Sequence, residues 1–278
     1  MYEFLSFIAP EIALRLLPVK EDIYIEFDQV KISVQTIFPN GHKERPRLVF
    51  LHHALGSIAQ WKDFPEALAQ KTQLPVALIE RLGHGGSGDL PSPQDLNFFH
   101  EEALERLPAV LHQLEIEDPI LIGHSDGATI ALLYAAHLPT AAVIAEAPHV
   151  MVEHQTLEGI CTALQEKKTL VNRLQKYHGP RAEELVASWA GTWLAPWFRE
   201  WSIEKELTGI SCPVLVIQGT ADPYGTMLHA RSIQLAVNGN VACFEVPGSG
   251  HSPHLEKRKE VLERMASFIH QIANNHLT

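Results

Sequence analysis

Residues 119–137 have the sequence PILIGHSDGATIALLYAAH, and this stretch decides the fold of the chain. The apolar run ILI predicts a buried strand, and the run ATIALLYAAH predicts a helix. Ser125 lies at the turn between them, in the pattern G-x-S-x-G. Gly123 and Gly127 lack side chains and let the turn pass close to the adjoining strand and helix. The pattern therefore predicts a serine hydroxyl that stands exposed at the end of a central strand.

Two interpretations of Ser125 are open at this point. In the first, the free N–H groups and the positive dipole end of the helix that begins near Asp126 stabilise negative charge developing beside a nucleophilic serine. In the second, the segment is only a strand-to-helix glycine turn, and the serine caps the helix. The motif alone does not decide between them, because so short a pattern also arises by chance in a chain of this length.

Composition bounds the class of protein. The chain has 278 residues, of which 46% are hydrophobic and 20% charged, enough for one α/β domain with an insertion. Its net charge of -11 argues against binding to nucleic acid or to acidic membranes. Cys161, Cys212 and Cys243 have neither disulfide nor zinc spacing, which favours a reducing compartment and hence a cytoplasmic protein.

The N-terminal residues 1–20 do not resemble a signal peptide, because they lack a basic start and carry acidic residues within the apolar stretch. No uninterrupted apolar run is long enough to span a membrane. Residues 8–17 predict a short amphipathic helix, which we expect to dock on its own domain. The expected partner is a small-molecule acyl substrate, with no nucleic acid and no membrane; monomer and homodimer both stay open.

Strands and helices alternate along most of the chain, which predicts a mostly parallel sheet built from βαβ units. Residues 23–27 and 31–38 alternate apolar and polar side chains and predict an antiparallel pair. The remaining predicted strands are continuous apolar runs, as expected when helices cover both faces; they are residues 48–52, 76–80, 120–122, 142–145, 214–218 and 241–246. Helices are predicted over residues 61–70, 98–114, 227–237 and 256–272, with Pro108 interrupting the second.

Residues 150–209 break this alternation with a mainly helical pattern. We expect a helical cap inserted between strands six and seven, with residues 1–149 and 210–278 forming the core. Trp189, Trp193, Trp197 and Trp201 recur every fourth residue within it, and Pro196 should divide the stretch into two shorter helices. The interpretation we favour is that these rings pack the cap onto the core. The alternative is that some of them form the wall of an apolar substrate pocket.

A nucleophilic serine needs a base and an acid that orients the base. In a fold of this kind the acid should follow Ser125 in the sequence and the histidine should follow the acid, each in a loop after a later strand. Asp222 directly follows the strand VLVIQG, and His251 follows the last strand. His254 is a nearby rival, but it is expected to start the final helix and to turn away. The ordered set of Ser125, Asp222 and His251 favours nucleophilic catalysis over a helix cap.

In these residues the chain resembles the α/β-hydrolase superfamily, in its capped, single-domain type. LHHALGSIAQW resembles the family's oxyanion segment, GHSDG its nucleophile elbow, GTADPYG its acid loop and GSGHSPH its histidine loop. These segments span residues 51–254. They are specific for the fold and much less specific for the substrate.

The resemblance implies an oxyanion hole formed by the backbone N–H groups of Ala54 and Asp126. The chain departs from the family in one place: where a glycine usually follows the first histidine of the oxyanion segment, this chain has His53. A side chain there can alter the loop, so Leu55 is the alternative donor. Asp126 itself is expected to suit a helix N-terminus, with recognition of a cationic substrate group as the lesser alternative.

Weaker candidates surround this set. Arg81 follows the fourth strand and is expected to form a surface ion pair or, alternatively, to recognise a carboxylate. Glu146 ends a strand near the expected site and either faces the pocket or caps the next turn. Candidate pocket residues are His53, Leu55, Arg81, Glu146, Trp189 and Trp193. The histidines His52, His53, His149 and His154 have no tight ligand spacing, so no metal and no cofactor is predicted.

The resulting hypothesis is a serine hydrolase that cleaves a small carboxylic ester or related acyl compound through a covalent acyl-enzyme. A second hypothesis keeps the same three residues and changes the reaction, to hydrolysis of carbon–carbon bonds, perhydrolase or haloperoxidase chemistry, or a lyase. A third is a non-catalytic ligand receptor on the same fold. The sequence does not separate these three.

Overall fold

The computed structural model describes residues 18–41, 45, 47–90 and 94–275. A single sheet runs through it, with the strands β1 Val19–Phe27, β2 Val30–Phe38, β3 Leu48–Leu51, β4 Val76–Ile79, β5 Ile120–His124, β6 Ala142–Glu146, β7 Val214–Gly219 and β8 Val241–Val246. The eight strands lie in the order β1-β2-β4-β3-β5-β6-β7-β8. β2 is antiparallel to β1 and to β4, and the other pairs are parallel. The mostly parallel sheet predicted from the sequence is confirmed.

The antiparallel pair begins earlier than its sequence pattern predicts. β1 starts at Val19 because its first residues pair with the end of β2, although they are polar and exposed at the sheet edge. Asp28 and Gln29 form the connecting turn with φ values of 48° and 65°. Positive φ at both central residues matches the twist of a two-residue hairpin. A prediction that depends on the apolar pattern of the buried face therefore omits the solvent-exposed first half of this strand.

Helices cover both faces of the sheet. In chain order they are α1 Phe64–Thr72, α2 Phe98–Glu101, α3 Leu107–Gln113, α4 Asp126–His137, α5 His154–Gln165, α6 Lys167–His178, α7 Ala182–Trp193, α8 Met227–Ala236, α9 Pro253–Glu256 and α10 Arg258–Asn275. Alternate residues of each inner strand enter two separate cores: Val49 belongs to the core that includes residues of α2, α3, α4 and α8, and Phe50 belongs to the core that includes residues of α1 and α10. Burial on both faces explains why the inner strands are continuous apolar runs.

Pro108 interrupts the predicted helix over residues 98–114 in a specific way. Between α2 and α3 the chain forms a π-helical turn over Glu102–Arg106, and Pro108 falls in the first turn of α3. A proline ring clashes with the preceding helical turn and lacks an N–H, so a widened turn just before it relieves both problems. The helix is thereby divided, as Pro108 predicted.

Between β6 and β7 the chain forms α5, α6 and α7 and then two short 3-10 turns. This segment is tied to the sheet's carboxyl edge by polar contacts: Thr156 Oγ1 donates to the Tyr224 carbonyl at 2.7 Å, and the Arg181 guanidinium donates to the carbonyls of Gly85 and Ser87 at 2.6 and 2.7 Å. The helices therefore lie over the loops that follow the inner strands. The limits of 150 and 209 for a separate cap stay a prediction.

The four tryptophans of this segment do not form one stripe. α7 ends at Trp193, and Pro196 starts a 3-10 turn rather than a second α-helix. Trp193 and Trp201 are buried and stack with Phe99 and Phe198, which joins the segment to α2. Trp197 is 46% exposed. Pro196 therefore divides the stretch into two helices as predicted, but the second is a single 3-10 turn, because the proline and the short connection leave room for no more.

The predicted helix over residues 8–17 lies outside the described residues. Within the part of the chain that the structure describes, none of the helices combines the length and apolar character needed to cross a membrane.

Candidate active site

Ser125 stands at a strained turn between β5 and α4. Its φ of 55° and ψ of -118° are rare for a residue with a side chain. A Cβ at Gly123 would lie 2.2 Å from the Gly127 carbonyl oxygen, and one at Gly127 would lie 2.0 Å from the Leu51 carbonyl oxygen. Neither distance is possible between non-bonded atoms, so Gly123 permits the close approach of α4 to β5 and Gly127 permits that of α4 to β3. The Ser125 amide donates to the Glu146 carbonyl at 2.9 Å and fixes the turn against β6.

Asp222 and His251 are in direct contact at the same edge of the sheet. His251 Nδ1 lies 3.0 and 2.9 Å from the two carboxylate oxygens of Asp222. The carboxylate also accepts hydrogen bonds from Gln218 Nε2 at 2.9 Å and from the Tyr224 amide at 2.8 Å. Burial alone would raise the pKa of Asp222, but the imidazole of His251 and the Tyr224 amide outweigh it and lower the pKa to about 2. Asp222 is therefore ionised at neutral pH and holds the imidazole by its Nδ1 edge.

Ser125 and His251 line one cavity of about 400 Å³ between the sheet edge and the helices α5, α6 and α7. Its wall is mainly apolar and includes Leu55, Ile160, Leu170, Leu174, Trp189 and Trp193. Of the predicted pocket residues, His53, Leu55, Trp189 and Trp193 thus share a cavity with Ser125. The wall also includes His149 and Tyr224, which sequence reasoning missed. Both follow inner strands, β6 and β7, and the rule that such loops meet at one edge could have found them.

Ala54 and Asp126 line this cavity as well; Ala54 lies in the β3–α1 connection, and Asp126 lies at the start of α4. The connection is held by its carbonyls. The His53 oxygen accepts from the Gly56 amide at 2.9 Å and from Arg81 Nη2 at 3.1 Å, and the Leu55 oxygen accepts from Gln60 Nε2 at 2.8 Å. Because each peptide points its N–H away from its own carbonyl, the bonds to the His53 oxygen fix the direction of the Ala54 N–H. The Ala54 oxygen, which belongs to the same peptide as the Leu55 N–H, lies 2.7 Å from His84 Nε2.

The side chain of His53, where the family has glycine, is accommodated beside the elbow. Its ring lies 5.1 Å from the ring of His124 and is inclined to it by 33°. Burial lowers the pKa of His53 well below its usual value, and the nearby imidazoles of His124 and His251 lower it further. His53 is therefore neutral, and the extra side chain adds no charge next to Ser125.

Two of the predicted positions differ from expectation. Glu146 is not one of the described residues that line the cavity. Its carboxylate accepts from the His254 amide at 2.6 Å and lies 2.8 Å from His254 Nδ1. It therefore neither faces the pocket nor caps a turn, because the loop after β8 covers it. His254 starts α9 and turns toward this carboxylate, with an exposed fraction of 3%.

Arg81 is not part of a surface ion pair. The side chain is only 5% exposed, and its Nη2 lies 3.8 Å from Asp126 Oδ2. The expectation of a solvated charge is wrong because the connection after β3 and the segment after β6 enclose the end of β4. A group of three metal-ligating side chains does not occur anywhere in the described residues.

Residues 48–264 match the model of the alpha/beta hydrolase family. The chain belongs to this family. Fold, strand order and the serine elbow all agree with that membership, so the family resemblance inferred from the motifs is confirmed. Family members are hydrolases by description, and hydrolase activity is accordingly supported for this chain, whereas the substrate is not.

Two characterised relatives illustrate the range of similarity. The chain is 24% identical over 261 residues to 3-oxoadipate enol-lactonase 1 of Acinetobacter baylyi, covering 87% of this chain and 94% of the relative. It is 31% identical over 100 residues to the sn-1-specific diacylglycerol lipase ABHD11 of Mus musculus, covering 36% of this chain. That second match spans 31% of the lipase's own length, about a third.

Solved structures match over most of the chain. The enol-lactonase of Burkholderia xenovorans is 16% identical with a TM-score of 0.70, covering 89% of this chain and 99% of that one. The proline iminopeptidase of Mycobacterium smegmatis is 19% identical with a TM-score of 0.67, covering 91% and 98%. At this level of identity the similarity shows the fold alone.

Proposed function

We propose that this protein is a serine hydrolase that cleaves a small carboxylic ester or related acyl compound through a covalent acyl-enzyme. The observation that carries the proposal is the contact of His251 Nδ1 with both oxygens of Asp222, in a cavity that Ser125 enters from a strained elbow. A serine that only caps a helix needs neither an oriented imidazole nor a left-handed backbone. In this proposal Ser125, His251 and Asp222 are nucleophile, base and orienting acid.

The reaction proceeds in two halves. The Ser125 oxygen bonds to the substrate carbonyl carbon while its proton passes to His251 Nε2, and the carbonyl π electrons move onto oxygen. When the C=O bond re-forms, the bond to the leaving alcohol breaks and the alcohol takes the proton from His251. Water then attacks the acyl-serine ester and gives a proton to His251. Release of the carboxylic acid returns that proton to Ser125.

Charge on the substrate oxygen is stabilised by the backbone N–H groups of Asp126 and Ala54. Asp126 is the first residue of α4, where the N–H has no partner within the helix. One such donor contributes about 3 kcal/mol to the transition state. The carbonyl-bonded connection after β3 supports Ala54 as the second donor, because its peptide planes are fixed before substrate binds. Leu55 is the alternative.

The segment over residues 150–209 acts as the cap in this proposal, since α5, α6 and α7 supply the apolar wall. A mainly apolar cavity of about 400 Å³ suits an acyl group of modest size, and Arg173 and Lys176 also line it. The relatives' names, a lactonase and a lipase, support a carboxylic ester or lactone bond as the target. The free thiols Cys161, Cys212 and Cys243 support a cytoplasmic location.

Labelling with a fluorophosphonate, followed by peptide mass spectrometry, tests the nucleophile. We expect one label per chain on Ser125, and no label and no turnover of p-nitrophenyl esters in Ser125→Ala. Absence of the label from folded protein contradicts the proposal. A single turnover followed by tight retention of the product favours the receptor, and faster cleavage of a vinylogous 1,5-diketone dienoate than of any ester favours the carbon–carbon hydrolase.

A further inference from the structure

A second cavity of about 290 Å³ adjoins the one that Ser125 enters. The two cavities share four lining residues, which are Ala54, Asp126, Trp189 and Trp193. The first cavity is apolar, whereas the second is lined by several charged and amide side chains, among them Arg81, Gln94, Glu102 and Glu184. The proposed oxyanion donors, Ala54 and Asp126, therefore lie at the junction of an apolar and a polar chamber.

Asp126 and Arg81 form the inner wall of the polar chamber, and both are incompletely hydrogen-bonded. Asp126 is 4% exposed, and no described residue donates a hydrogen bond to its carboxylate. Among the described residues, the Arg81 guanidinium donates from Nη2 to the His53 carbonyl at 3.1 Å, and its buried Nε has no partner there. Nη2 approaches Asp126 Oδ2 to 3.8 Å, which is too long for a hydrogen bond. This leaves hydrogen-bonding positions on a buried carboxylate and a buried guanidinium that a polar group of a ligand can occupy.

Most of the charges of the chamber nevertheless pair; the exposed Glu184 has no ionic partner among the described residues. Glu102 is paired with Arg106 Nη1 at 3.1 Å, and at the rim Arg181 Nη1 lies 3.3 Å from Asp89 Oδ1. Asp126 and Arg81 offset each other at the inner wall. The chamber therefore offers hydrogen-bond acceptors and donors without a large net charge.

We infer that this second chamber binds an uncharged polar group of the substrate, such as vicinal hydroxyls, on the leaving-alcohol side of the scissile ester bond. The inference rests on the proposed function. With the carbonyl oxygen at the junction, the acyl chain occupies the apolar chamber and the alcohol enters the polar one. Hydroxyl groups donate to the Asp126 carboxylate and accept from Arg81 Nη1. Asp126 then determines specificity through its side chain as well as supplying an oxyanion N–H.

Charged alcohols fit this chamber less well. A carboxylate bound by Arg81 would lie against Asp126, and an ammonium bound by Asp126 would lie against Arg81. Either ion loses its hydration on binding. Its attraction to the opposite charge of the pair is offset by its repulsion from the like charge, so the desolvation cost is not compensated. A hydroxyl loses less hydration and satisfies both protein groups.

The experiment compares four butyrate esters that differ only in the alcohol: n-butanol, glycerol, choline and glycolate. We expect kcat/KM for the glycerol ester to exceed the other three by about tenfold, since one well-placed hydrogen-bond pair is worth at least that factor. Asp126→Ala and Arg81→Met should each lower the glycerol-to-butyl ratio of kcat/KM toward one. Glu183→Gln, an exposed acidic position on the same helix as Trp189, is the matched control and should keep the ratio.

A preference for the choline ester overturns the inference, because Asp126 then acts as an uncompensated anion. A preference for the glycolate ester overturns it in favour of Arg81 as an anion site. Equal rates for glycerol and butyl esters overturn it as well, since the polar chamber then does not receive the alcohol. In these cases Ser125 is still labelled by the fluorophosphonate and the proposed function stands; loss of both labelling and turnover contradicts the proposed function itself.

Discussion

Glu146 and His254 lie 108 positions apart in the chain and are in buried contact, with His254 Nδ1 2.8 Å from Glu146 Oε2. Their side chains are 0% and 3% exposed. Glu146 ends β6 and its carbonyl accepts from the Ser125 amide, while His254 follows His251 by one turn. Burial alone would raise the pKa of Glu146, but the charge and hydrogen bonds of His254 lower it. The pair therefore fastens the loop that carries His251 to the strand beside the serine elbow.

Glu146→Gln should destabilise the protein by about 3 kcal/mol, because it removes a buried carboxylate charge and puts an amide donor in place of one of the two oxygens that contact His254. Urea unfolding measures this as a shift of the midpoint at constant slope. Glu158→Gln is the matched control, since Glu158 pairs with His154 on the exposed face of α5 and should cost less than about 1 kcal/mol. Equal effects of the two substitutions contradict the structural role of the buried pair.

Asp222→Asn should lower kcat for p-nitrophenyl butyrate by about 10⁴ while changing KM little. The amide keeps the size of the carboxylate but donates toward His251 Nδ1, which favours the wrong tautomer and removes the charge that stabilises the imidazolium. Steady-state kinetics on pure protein measures the effect. Asp89→Asn, an exposed carboxylate on the far side of the polar chamber, controls for a general loss of negative charge. A loss of less than tenfold in Asp222→Asn contradicts the assigned role.

We expect the protein to lose stability in mild acid because His124 is buried as a neutral imidazole. Burial and the imidazoles of His251 and His254, against the opposing carboxylate of Glu146, lower its pKa to about 3. Its Nε2 lies 2.6 Å from the His251 carbonyl oxygen, so the neutral ring donates there. Below the unfolded pKa of about 6.5 the unfolded chain binds a proton that the folded chain rejects, so stability falls as pH falls.

Between pH 6.5 and 5 this single imidazole should cost about 2 kcal/mol of unfolding free energy, on the basis of 1.4 kcal/mol for each pH unit. Urea unfolding at a series of pH values gives the slope. His124→Gln retains a donor near the His251 carbonyl and cannot titrate, so its slope in this window should be smaller. An unchanged slope shows that other groups cause the acid sensitivity.

Local sequence pattern was sufficient for the sheet and for the residues at its carboxyl edge. The inner strands are apolar on both faces, and the glycines of the elbow follow from the space between β3 and α4. Each of these features depends on neighbours in the chain or on the alternation of strands and helices. Ser125, Asp222 and His251 could therefore be named before any coordinates, although their catalytic roles stay a prediction.

Features that depend on distant residues could not be named. The burial of Arg81 results from segments on either side of it in space, and a charged side chain in isolation predicts exposure. The pairing of Glu146 with His254 joins two loops with no shared pattern. The tryptophans that recur every fourth residue from Trp189 indicated one stripe. Pro196 and the short connection after it instead divide the rings among the core, the cavity wall and, for Trp197, the exposed surface.

Gly127 and Gly191 should respond in opposite directions to the same added methyl group. A Cβ at Gly127 would lie 2.0 Å from the Leu51 carbonyl oxygen, which is backbone and cannot move without shifting β3, so Gly127→Ala should destabilise by about 3 kcal/mol or more and reduce turnover. A Cβ at Gly191, within α7, meets nothing within 4 Å, so Gly191→Ala should stabilise by about 0.5–1 kcal/mol through helix propensity. Thermal unfolding of both variants beside the wild type measures the two effects. A Gly127→Ala protein of wild-type stability and activity contradicts the close approach of α4 to β3 on which the elbow geometry depends.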